Sequence, residues 1–180
     1  MKQQKGVTLV ELMITVSIIA IILTFVGPSI QSILIKNRVV AEINETSSLI
    51  QYARHHAIDE QAQVVVCPSA DYSICSTDWN DPKIVFIDED DNAIRGDSEE
   101  LLVTIGATSS TSLMTNTTDI IKFTGTGEAN ETTEILLCHK DGEAEYARSL
   151  SVTLQGRVKM SNDSDRNGIN ENASGTELSC

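Results

Sequence analysis

The sequence predicts an α+β protein, with one long N-terminal helix packed on an antiparallel β-sheet or small β-sandwich. Two observations carry this. Residues 12–35 contain no charge, and neither proline nor glycine interrupts residues 29–61. After Gln61 the chain changes to short apolar runs separated by turn residues. A length of 180 residues suits one domain with an appendage.

The uncharged run of 24 residues is long enough to span a bilayer of about 30 Å as a helix. Lys2 and Lys5 precede it, and the positive-inside tendency keeps that end cytoplasmic and sends the rest outward. A secretory signal peptide would have a shorter apolar core and a small-residue cleavage site behind it, and no A-x-A pattern follows here. Glu11 stands out. A carboxylate at the edge of a membrane helix costs about 1–3 kcal/mol and usually has a partner.

Residues 36–60 continue the helix with amphipathic spacing. Val39, Ile43, Ile50, Ala53 and Ala57 recur at steps of three, four or seven, while Lys36, Arg38, Glu42, Glu45 and Arg54 occupy other faces. The simplest structure is one helix over residues 8–59, about 75 Å long. His55 and His56 project about 100° apart and read as solvated or rim residues rather than a metal pair.

Residues 61–180 form a β-rich head. Candidate strands are 64–67, 84–87, 101–105, 120–123, 135–138, 150–154 and 157–160, with turns at Gly125, Gly127, Asp141-Gly142 and Gly156. The four cysteines, Cys67, Cys75, Cys138 and Cys180, form no C-x-x-C pair, and the three histidines complete no zinc spacing. Two disulfides are the natural reading behind an export-like N-terminus. Three connectivities are open. Cys67 and Cys75 are close enough to staple one small loop, which would leave Cys138 to hold Cys180.

The segment Gly6-Val7-Thr8-Leu9-Val10-Glu11-Leu12-Met13 resembles the processing site of type IV pilins and type II secretion pseudopilins. The resemblance implies a pilin fold, with residues 1–6 as a leader that a prepilin peptidase removes by cutting between Gly6 and Val7. It implies N-methylation of the new Val7 amine, a membrane or filament-core helix over residues 7–35, and a helix kink at Pro28. Glu11 would then stand fifth in the mature chain and pair with the amine of a neighbouring subunit, so the buried charge gains its partner on assembly. The family usually begins its mature chain with Phe, and this one would begin with Val7.

Within that family, Cys67-Pro68-Ser69, Cys75, Trp79, Ile84-Val85-Phe86-Ile87-Asp88, Phe123 with Gly125 and Gly127, Cys138 and Gly156-Arg157 resemble the group of GspH, FimT and FimU minor pilins. What the resemblance implies is a structural subunit without enzymatic activity, at or near a type IV pilus tip, that helps start assembly. Its partners would be other minor and major pilins, the prepilin peptidase, the inner-membrane assembly platform and the bacterial inner membrane. The chain would cross that membrane once, with its N-terminus cytoplasmic and its head periplasmic, and later reach the cell surface. A type II secretion pseudopilin of the GspH type and a DNA-binding minor pilin of a competence pilus are the alternatives.

Two local patterns bear on ligands. Gly156-Arg157-Val158-Lys159 is similar to the G-R-x-R pattern of minor pilins implicated in DNA uptake, and on a strand Arg157 and Lys159 would share one face. Against DNA stand a formal charge of −13 and the loss of Arg's fork at Lys159, so an ordinary strand with exposed bases is the simpler reading. Asp163, Asp165, Asn167 and Gly168 reproduce the front of a calcium loop, with Glu171 in place of the missing twelfth-position ligand. Asp88, Asp90, Asn92 and Glu99 alternate in the same way without the turn glycine. Acidic turns are ordinarily solvated, so no cofactor is expected and calcium is the one ion considered. No nucleophile elbow, phosphate loop or zinc-protease motif occurs, which disfavours an enzyme.

Overall fold

A computed structural model describes residues 6–96 and 98–180, without the side chains of 25–28. Lys2, Lys5 and most of the leader therefore lie outside the described residues, as does the side chain of Pro28 and the kink expected there. The chain divides into two compact units, Met1–Asn37 and Arg38–Cys180.

The first unit is helical from Leu9, where α1 (Leu9–Glu60) begins. None of its described side chains is buried, and Leu9, Val10, Leu12, Met13 and Ile14 are all more than half exposed. Its hydroxyls are turned inward on the helix. Thr15 donates to Leu12 O at 2.9 Å, Ser17 to Met13 O at 2.8 Å and Thr24 to Ile21 O at 2.7 Å. Such back-bonding lets polar side chains sit in an apolar setting without outside partners. Among the described residues no single helix is long and apolar enough to cross a membrane by itself. Leu9–Thr24 and Ser29–Glu60 reach that length and composition together.

The second unit holds the rest of α1 and eight strands. One antiparallel sheet has the order β3 (Leu101–Ile105), β2 (Lys83–Ile87), β1 (Val64–Pro68), β5 (Ile121–Phe123). The other has the order β4 (Ser112–Asn116), β6 (Thr133–His139), β7 (Arg148–Val152), β8 (Val158–Met160). The main core lies among both sheets and the α1 stripe: Val39, Ile43, Ile50, Ala53 and Ala57 pack with Val64, Val85 and Phe123 from one sheet and Ile135, Leu137 and Leu150 from the other. The three-and-four spacing of the sequence is this buried stripe.

Strand β1 is buried along its whole length. Its alternate side chains, Val65 and Cys67, form a second cluster with Ile84, Phe86 and partly buried Cys75, so the first sheet is covered on both faces. That double burial explains an unbroken Val-Val-Val-Cys run where a half-exposed strand would alternate.

Several boundaries differ from expectation. β4 carries only two apolar residues, with Met114 buried and Leu113 exposed, so its apolar signal was too weak to read. The expected strand 150–154 is shifted to Arg148–Val152, and Arg157 lies just ahead of β8 rather than in it. There, Thr153 N donates to Arg157 O and Gly156 N to Thr153 O, so the turn expected at Gly156 takes in Thr153, Leu154 and Arg157 as well.

Candidate functional site

The processing region is open. Gly6 and Val7 are exposed, non-helical and ahead of α1, and among the described residues nothing lies within 4 Å of where a Gly6 Cβ would stand. Thr8 caps the helix: its Oγ1 accepts the Glu11 amide at 3.3 Å, and Thr8 O accepts the Leu12 amide at 3.1 Å. Thr8-x-x-Glu11 is thus the spacing of a capping box, and Glu11 also lies where the positive end of the helix dipole favours a carboxylate. The carboxylate itself is exposed. Glu11 thus has a local reason for its place, independent of the expected pairing on assembly.

The cysteines pair as Cys67–Cys75 and Cys138–Cys180, closing spans of 8 and 42 residues. The small loop is shaped by Asp71, whose Oδ1 accepts from Ser73 N and Ile74 N at 2.9 Å and from Ser69 Oγ at 3.0 Å. These bonds, that from Ile74 foremost, hold the Asp71 carboxyl below its usual range. The long span ties the chain terminus to β6.

Around the end of α1 the turn glycines acquire a physical reason. Arg54 donates from Nε to Gly127 O at 2.9 Å and from Nη2 to Gln155 O at 3.0 Å, joining two turns to the helix. A Cβ on Gly125 would stand 2.7 Å from the Gln61 backbone. Gly156 has φ +70°, and a Cβ there would overlap Gly127 O and the Arg54 guanidinium. Nothing at the level of sequence marks Arg54, because its partners lie 73 and 101 residues away.

Arg157 and Lys159 are both exposed, and among the described residues neither side chain has a hydrogen-bond or ion-pair partner. The acidic turns do converge. Asp163, Asp165 and Glu171 bring one oxygen each within 4.8 Å of the others, and so do Asp88, Asp90 and Glu99. Beside the first group, Asn167 Oδ1 accepts Ile169 N at 2.8 Å and its Nδ2 donates to Asp165 and Glu177. Backbone amides of Ser164, Asn167 and Gly168 already engage the first three carboxylates, leaving Asp163 Oδ1 enclosed without a partner. Asp88 is met by the Asn92 and Ala93 amides, with the Lys122 ammonium 3.5 Å away.

Lys83 is 1% exposed, with Nζ donating to Thr108 Oγ1 at 2.8 Å. Burial pushes its ammonium down to about 8 against the opposing attraction of Glu42, Glu45, Asp78 and Asp81.

An N-terminal apolar helix with a capped Glu11, a buried second half under two small sheets, and paired cysteines define a protein of the type IV pilin class. The family model for the type II transport protein GspH matches residues 42–156, and that for the prokaryotic N-terminal methylation motif matches residues 1–27. The chain belongs to the GspH family of minor pilins and pseudopilins. Two solved structures share its fold. The type IV minor pilin FimU of Pseudomonas aeruginosa is 18% identical, with a TM-score of 0.57 over 72% of this chain and 92% of that one. The minor pseudopilin EpsH from the type 2 secretion system of Vibrio cholerae is 8% identical, with a TM-score of 0.50 over 68% and 95%. No curated protein matches the chain.

Proposed function

We propose that the chain is a minor pilin, a structural subunit of a type IV pilus that helps initiate assembly near the filament tip and has no catalytic role. The observation that carries this is the exposed Gly6–Val7 junction immediately ahead of a helix with Glu11 in its first turn. A prepilin peptidase removes residues 1–6 and the Val7 amine is methylated. The apolar half of α1 holds the subunit in the bacterial inner membrane, N-terminus inward and head in the periplasm, where the two disulfides form. The assembly platform then transfers the helix into the filament among other minor and major pilins, with Glu11 paired to a neighbour's amine. DNA is not a partner in this reading, because Arg157 and Lys159 sit on a chain with 26 acidic residues against 13 basic ones.

The GspH family match favours a second reading, the type II secretion pseudopilus, in which the same helix serves protein export. Deleting the gene in its own host separates the two. Loss of surface pili or twitching with secretion intact is the expected result. Lost secretion with normal pili would establish the pseudopilin instead, and lost DNA uptake alone would bring in the DNA-receptor reading.

A further inference from the structure

A cavity of about 280 Å³ opens where the last turns of α1 meet the turn before β8. Gln51, Arg54, His55, Gly156, Arg157 and Val158 line it. Two guanidinium groups and an imidazole share this space, and no carboxylate is among the lining residues. On a chain of formal charge −13 that is a marked local reversal. A second cleft of the same unit, lined by Glu60, Asp88, Glu89 and Asp91, shows the acidic character that composition leads one to expect.

The two arginines are set up differently. Arg54 is held in place, with Nε and Nη2 committed to the carbonyls of Gly127 and Gln155. Gly156, locked against Arg54 at φ +70°, fixes the start of the segment that carries Arg157. The Arg157 side chain is exposed, and its whole planar fork is without a partner among the described residues. Like charges drawn together without a counterion repel one another, and an anion placed between them converts that repulsion into attraction. The fork geometry of arginine matches a carboxylate or phosphate bidentately.

We infer that this pocket receives a carboxylate side chain presented by a neighbouring filament subunit; the neighbour, though not the pocket, rests on the pilin reading above. The surroundings of the pocket favour a protein carboxylate over a nucleic-acid backbone. A duplex would extend beyond the pocket over exposed acids such as Asp59, one helical turn from His55. Those acids repel a polyanion more strongly than they repel a single carboxylate.

The test uses the full-length processed chain in detergent, with a fluorescent hexapeptide carrying one glutamate among uncharged residues and blocked termini, and a fluorescent short DNA duplex, as probes. Salt-sensitive anisotropy of the peptide is expected. Arg157→Glu should weaken peptide binding by about tenfold or more, as loss of a charge-assisted pair does. Lys159→Glu, the same charge change outside the lining, should leave it nearly unchanged. Arg157→Lys should fall between, because the charge remains and the fork is lost. The Arg157 side chain makes no hydrogen bond or ion pair among the described residues, so an unchanged melting temperature for Arg157→Glu is expected and keeps the comparison clean. Equal weakening by both reversals, or no peptide binding, overturns the pocket. Tighter binding of the duplex, lost in Arg157→Glu, overturns the carboxylate in favour of phosphate. Normal filaments in the deletion strain would overturn the neighbour named here, while the peptide result still reports on the pocket.

Discussion

Arg54 reaches from the last turns of α1 to the carbonyl of Gly127 at 2.9 Å, and the space it occupies is the space a side chain at Gly156 would need. Helix end, β5–β6 turn and β7–β8 turn are thereby one packed unit. The two motif glycines are conformational requirements of that unit.

Gly156→Ala should therefore destabilise the disulfide-intact chain by roughly 1–3 kcal/mol, since it combines a left-handed backbone with steric overlap. Gly142→Ala has a similar φ of +75° but meets nothing within 4 Å, and should cost about 1 kcal/mol. Urea denaturation of both variants checks this; equal losses would mean that the contact with Arg54 contributes nothing.

Lys83 predicts a pH dependence. Its folded value, about 8, lies below the ordinary 10.5, so the ammonium is charged in both states below pH 8 and burial then opposes folding in full. As pH rises from 8 toward 10.5 the folded state loses its proton first and that penalty fades. Stability attributable to Lys83 should rise over this window, by an amount on the order of 3 kcal/mol. Lys83→Met should be more stable than wild type at pH 7 and should converge on it by pH 10. A constant difference between the two across that range would refute the assignment.

The disulfides should differ in value. In the chain-entropy account a closed span of 42 residues contributes about 4 kcal/mol and one of 8 about 2.5 kcal/mol. Cys138→Ala with Cys180→Ala should thus lower the melting temperature more than Cys67→Ala with Cys75→Ala. The reverse order would point to the Asp71-centred loop, rather than the terminal tie, as the main constraint on the head.

Glu11→Gln keeps the length of the side chain and removes its charge. Leader removal, read by mass spectrometry of the N-terminus, should continue, while incorporation into filaments should fall to near background. Thr8→Ala, which deletes only the cap, should cost about 1 kcal/mol of helix stability and leave incorporation largely intact. If Thr8→Ala blocks assembly as severely as Glu11→Gln, the carboxylate acts through the helix cap and not through a neighbour.

Much of this was legible from residue order alone. Val39, Ile43, Ile50, Ala53 and Ala57 are buried as their spacing requires, because a helical stripe is a local pattern. The pairing of Cys67 with Cys75 likewise follows a short separation. β4 escaped notice because its place is decided by pairing with β6, with Met114 opposite Leu137, rather than by its own composition. Arg54 escaped for the same kind of reason: its two bonds are non-local, and a charged residue on a helix ordinarily reads as solvated. The basic cavity depends on those bonds and so was equally hidden.

The inward-turned hydroxyls of Thr15, Ser17 and Thr24 have a consequence for the energetics of transfer. A segment whose hydroxyls are bonded to its own backbone would meet lipid and dry protein as nearly equivalent solvents. Passage between them then involves no exchange of hydrogen-bond partners along most of its length. The environment is registered at one place, the carboxylate of Glu11. On the pilin reading proposed above, the choice between bilayer and filament would then be an electrostatic one made at that single carboxylate.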